Sequence, residues 1–164
     1  SKMGTSGDIP FLKVYNLTKT GALDFTIKPT WISRETHEGQ LQRSRIRPGD
    51  LLMNIVGPPL GKVSFVPETY AEWNTNQAVV VFRPLPGLLN RYLLACLLTD
   101  SVLKPLLAQA KATAGQFNIS VNMCRALAIP LPPLAEQVAI VAEVDRLLSL
   151  ADGAAATIEA ELLR

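Results

Sequence analysis

Hydrophobic and polar positions along the chain fall into two regimes that meet near residue 84. Upstream, apolar runs are short, rich in β-branched and aromatic residues, and separated by turn-forming residues, which is the pattern of strands. Residues 9–17 (IPFLKVYNL) and 24–33 (DFTIKPTWIS) read as strands joined by a Thr20-Gly21 turn. Pro48-Gly49-Asp50 then turns the chain into the buried run 51–56, and a loop of sequence GPPLG follows. Residues 62–67 (KVSFVP) and 78–82 (AVVVF) predict two more strands, the second stopped by Pro84, which cannot donate to a ladder. The only histidine, His37, falls in the polar stretch SRETHEGQ and is expected in a solvated loop.

Downstream the apolar spacing lengthens to three and four. Leu89, Tyr92, Leu93, Cys96 and Leu97 predict one helix, and Val102, Leu103, Leu106, Leu107 and Ala110 a second, capped by Asp100 or Ser101 with Pro105 early in it. After a polar break at 113–118, Ser120 is expected to cap a short helix through Leu127, and residues 128–131 to return as a brief strand.

The last segment changes character again. Pro130, Pro132 and Pro133 fix their own φ and push their neighbours extended, then run directly into a helix whose first turn carries Glu136, well placed for the helix dipole. Leu134, Val141, Val144, Leu148, Ala151, Ala155, Ile158 and Leu162 follow steps of three and four, interrupted only by Gln137. That is a heptad seam and requires a facing helix. Helical to the end, residues 134–164 reach about 46 Å. Ala151 and Ala155 let a partner approach closely, Ile140, Leu147 and Ala154 widen the apolar face, and Gly153 is an expected soft point costing roughly 1 kcal/mol against Ala. The seam points to an external or symmetry-related partner rather than to a helix folded back on its own body. The chain therefore reads as α+β, with a mixed-sheet body over residues 1–131 and a coiled-coil-type helix over 132–164.

Charge divides at the same place. Residues 1–128 hold fourteen Lys and Arg against eight Asp and Glu, a balance of +6, whereas residues 129–164 hold two against six, a balance of −4. The body suits an anionic partner and the helix does not. Cys96 and Cys124 lie far apart at no metal-ligand spacing and read as buried thiols, so no metal, cofactor or catalytic residue is expected. Without a run long enough to span a membrane or a leader pattern, the expectation is a soluble cytoplasmic protein.

With these elements in place, the order IPFLKVYNL, RPGDLLMNIVGPPLGKVSFV, NQAVVVFRP and GQFNISVNMCRALAIPLPPLAEQVAIVAEVDRLL resembles the specificity subunit of type I restriction-modification systems. The tail, I-P-L-P-P-L-x-E-Q before an Ile- and Val-rich helix, carries most of the likeness. The resemblance implies a target recognition domain that reads one half of a split site in double-stranded DNA. It also implies a spacer helix that packs against a second such helix and docks modification and restriction subunits, which hold the chemistry. The usual subunit has two recognition domains and two helices, and this chain has room for one of each. It is therefore expected to be a fragment or a half-subunit pairing with a copy of itself.

Base readout needs paired donors and acceptors, and phosphate contact needs cations. Arg43, Arg45 and Arg47 alternate on one segment and would face one side of an extended chain; Lys62, Asn74, Asn76, Gln77, Gln116 and Asn118 occupy neighbouring loops. All are candidate DNA contacts. The competing expectation is a non-enzymatic interaction module that assembles a complex through its terminal helix.

Overall fold

Strand signals, turn residues and helical periodicity resolve into two small sheets, a layer of helices and one projecting rod. The computed structural model describes residues 4, 7–113 and 116–162. The first sheet has the order β2-β1-β6-β3, from β1 (Ile9–Leu12), β2 (Trp31–Ile32), β3 (Arg45–Ile46) and β6 (Trp73–Thr75); β1 and β6 run parallel and the other pairs antiparallel. The second is antiparallel with the order β5-β4-β7, from β4 (Leu51–Asn54), β5 (Val63–Phe65) and β7 (Val79–Phe82). A hairpin of β8 (Lys111–Thr113) and β9 (Gln116–Asn118) joins the body through a bridge from Asn118 to Val56.

The helices are α1 (Arg34–Glu38), α2 (Asn90–Leu97), α3 (Asp100–Ala108), α4 (Val121–Arg125) and α5 (Leu134–Leu162). Strand β4 is buried on both faces, which explains its unbroken apolar run. Leu51 and Met53 point into a core with Leu93, Leu97, Leu106 and Cys124 of the helical layer. Leu52 points the other way, into a core with Leu12, Ile46, Trp73 and Val79 between the sheets. Buried Asn54 closes the GPPLG loop over β4: its amide donates to Pro59 O at 2.8 Å and its carbonyl accepts from Lys62 N at 2.8 Å.

Several expectations change. Within 24–33 only Trp31–Ile32 forms a strand, because the buried Asn16 amide donates to Asp24 O and Ile27 O and holds those carbonyls in an irregular loop. Residues 34–38 form a short helix capped by Ser33 Oγ, which accepts from Thr36 N. Residues 128–131 form no strand; Pro130 lacks a donor and its carbonyl accepts instead from Tyr92 Oη at 3.1 Å. Thr99, rather than Asp100 or Ser101, stands at the start of α3, while Ser120 caps α4 as expected. The helix α5 continues through Gly153. Residues 114 and 115, within the polar break, lie outside the described residues.

Candidate nucleic-acid interface

The basic segment follows α1. Residues Gln42–Ser44 form a 3-10 turn rather than extended chain, so Arg43 leaves the line expected for three alternating arginines. Arg45 and Arg47 flank buried Ile46 on the edge strand β3 and its exit. All three side chains are exposed, and among the described residues none pairs with a carboxylate. Arg34, Arg83, Arg91, Lys104 and Arg146, by contrast, all form ion pairs. The segment is thus a small field of uncompensated guanidinium groups.

Its backbone is held from below by Asn74. This residue was a candidate DNA contact, but it is 0% exposed and its amide is fully engaged. Nδ2 donates to Leu41 O at 3.1 Å and lies 2.9 Å from His37 Nδ1; Oδ1 accepts from Ser44 Oγ at 2.9 Å and from Thr75 N at 2.8 Å. His37 itself is 1% exposed, not solvated. Its carbonyl accepts from Arg45 Nε at 3.3 Å, and its Nε2 lies 3.3 Å from Glu72 Oε1. The Arg34 guanidinium beside Glu72 holds that carboxyl below the usual range.

The other end of the segment is held by Asp50. Its Oδ2 accepts from Arg47 N at 2.9 Å, and Arg83 grips both carboxylate oxygens at 2.8 and 2.6 Å, which raises the Arg83 pKa. The Pro48-Gly49-Asp50 turn makes this possible, with Gly49 at φ +86°.

Lys62 also leaves the candidate face. Its ammonium donates to Val14 O at 2.6 Å, and burial, with Lys19 nearby, lowers its pKa. Asn76 is half-buried and accepts from Ala78 N at 3.0 Å, with exposed Gln77 beside it. Asn118 is half-buried in β9; the Gln116 backbone lies in the same strand and its side chain is outside the described residues. The structure therefore gathers Arg43, Arg45 and Arg47 on one braced segment. Among the described residues no three His, Cys, Asp or Glu side chains lie together in a way that could hold a metal ion.

On α5 the expected seam divides. Val141 and Val144 are half-buried and line a groove of about 430 Å³ with Leu94, Ala95 and Leu98, so the body already uses them. Leu148 reaches the same groove yet stays 58% exposed, and Leu134, Ala151, Ala155, Ile158 and Leu162 are exposed. Arg91 pairs with Asp145 at 2.6 Å alongside. Gln137, which looked like a flaw in the seam, is 0% exposed: Oε1 accepts from Leu89 N at 2.9 Å, and Nε2 donates to Gly87 O at 2.8 Å and Pro132 O at 2.9 Å. A polar residue inside an apolar repeat was the available signal.

The family described as type I restriction modification DNA specificity domain matches residues 5–164. No curated protein matches the chain. The fold is similar to that of the HsdS subunit from Thermoanaerobacter tengcongensis, with a TM-score of 0.70 at 20% identity over 94% of this chain and 38% of that one. It is also similar to a chain from a study of complex assembly and conformational transition of the type I R-M system, with a TM-score of 0.66 at 24% identity over 99% of this chain and 37% of that one. This chain thus spans less than two fifths of either.

Proposed function

The chain belongs to the family of type I restriction modification DNA specificity domains, and from that premise we propose that it is a DNA-reading head on a spacer helix. Residues 1–131 act as the target recognition domain for one half of a bipartite double-stranded site, and residues 132–164 as the helix that pairs with a second recognition unit or a second copy. Methylation and cleavage belong to modification and restriction subunits docked on the assembly; this chain contributes recognition and geometry.

The observation that carries the DNA reading is the segment Gln42–Arg47: three exposed guanidinium groups, none paired with a carboxylate among the described residues, on a backbone braced by buried Asn74 and Asp50. Held rigidly, an arginine reads a guanine edge by two parallel hydrogen bonds; held loosely, it contributes only charge to phosphate binding. Gln77, Asn76 and Asn118 are further candidates on residue type, Gln77 exposed and the other two half-buried.

The test is duplex binding in the presence of modification subunits across a salt series. Replacing Arg43, Arg45 and Arg47 singly by Ala is expected to cost about 1–3 kcal/mol where the contact is to a base, with relaxed preference at one position. Where the contact is to phosphate, the salt slope is expected to fall by about 1 per arginine. Unchanged affinity and slope in the triple variant would remove this segment from the interface.

A further inference from the structure

We propose that Gln137 is the latch that fixes the angle between head and rod, and through that angle the gap between half-sites the assembled reader accepts. The second half of this statement rests on the spacer reading above. The first half stands on the joint alone.

One side chain ties three separate segments there. Gly87 belongs to the loop after β7, Leu89 to the start of α2, and Pro132 to the proline exit, and Gln137 bonds to all three at 2.8–2.9 Å while fully buried. Both amide hydrogens and the carbonyl are in use, so the group carries no unmet polar demand. A leucine would continue the seam, but would leave the Leu89 N–H and the Gly87 carbonyl without these partners.

Of the other contacts at the joint, the bond from Tyr92 Oη to Pro130 O at 3.1 Å is directional but holds the exit chain ahead of the helix, and the rest cannot set an angle in this way. Val141 and Val144 lie along Leu94, Ala95 and Leu98. Apolar contact of this kind is non-directional and permits the helix to roll or slide. The Arg91–Asp145 pair has both side chains about half exposed, where ion pairs contribute little. Hydrogen bonds are directional, weakening steeply as they bend. Two of them reach from the rod to Gly87 and Leu89 of the head and the third ties the same amide to the exit at Pro132, so together they define an orientation.

The length of the rod magnifies that orientation. From Gln137 to Leu162 the helix runs roughly 38 Å at 1.5 Å per residue. A tilt of about 10° at the joint moves its far end by about 7 Å, on the order of two base-pair steps. A loosened joint would therefore blur the register between two heads without altering how either meets DNA.

The experiment uses the complex with its modification subunits and a set of duplexes in which two fixed half-sites are separated by gaps varied one base pair at a time. The native chain is expected to bind best at a single gap. Gln137→Ala and Gln137→Met, the second keeping the volume without the hydrogen bonds, are expected to lose about tenfold or more at that gap and to flatten the preference, because bivalent engagement depends on geometry. Affinity for a single half-site should stay unchanged, which also reports that the head is folded, and Arg91→Ala should keep the native gap profile.

A second measurement separates the latch from the spacer reading. Spin labels at positions 104 and 152, with Cys96 and Cys124 replaced, are expected to give a narrow distance distribution in the native background and a broad one in Gln137→Met. Narrow distributions in both overturn the latch. A native complex indifferent to gap length overturns the spacer reading while the label distances still judge the joint.

Discussion

The head buries polar side chains, and the distal rod exposes apolar ones; these are opposite departures from the usual partition of a folded chain. In the head Asn16, Asp50, Asn54 and Asn74 are nearly inaccessible, as is Gln137 where the rod leaves it, and each is bonded to named backbone groups. Beyond Leu148 the rod presents Leu150, Ile158 and Leu162, with Ile158 58% and Leu162 82% exposed and nothing among the described residues covering them. A buried, satisfied amide dictates one local shape, since any slip leaves a donor or acceptor dry. An exposed apolar stripe dictates nothing about its own chain and gains only when a second surface covers it.

If that contrast is right, substitutions in the two regions should fail in different ways. The largest effect is expected from Ile158→Asp combined with Leu162→Asp, which should weaken association of the helix by about 4 kcal/mol, roughly a thousandfold, as read by sedimentation of mass in solution against concentration. Head unfolding should be unmoved, so a fall in melting temperature with association intact would break the contrast. Next comes Asn74→Ala, which leaves Thr75 N without its side-chain acceptor and takes one partner each from Leu41 O and Ser44 Oγ, which keep each other; urea unfolding should show a loss of about 3 kcal/mol with association unaffected. The smallest is Arg91→Ala, expected to change head stability by under about 1 kcal/mol, because the pair it breaks with Asp145 is half in water. A loss as large as that of Asn74→Ala would mean that the rod is fastened by charge.

How much was legible in advance follows from what each signal measures. The helices α2, α3 and α5 were readable because period reports a buried face, and β4 and β7 because short β-branched runs bounded by turns report strands. The five-residue α1 was not, since it buries only His37 and has no period to show. Polar residue type was the blind spot: Asn74 and Lys62 looked like DNA contacts and His37 like a loop residue. Whether an amide faces water or a ring of backbone partners depends on contacts 30 or more positions away, such as Ser44 to Asn74 or Lys62 to Val14. Two legible hints existed: Asn54 inside an apolar strand and Gln137 inside an apolar seam both broke a pattern that the surrounding residues kept.

The strand lengths carry one more consequence. The outer members of the first sheet, β2 and β3, are two residues each, and β7 on the rim of the second is followed closely by Pro84. Such stubs give an incoming peptide almost no ladder to copy, which protects the head from sticking sideways to its neighbours when many copies are crowded together.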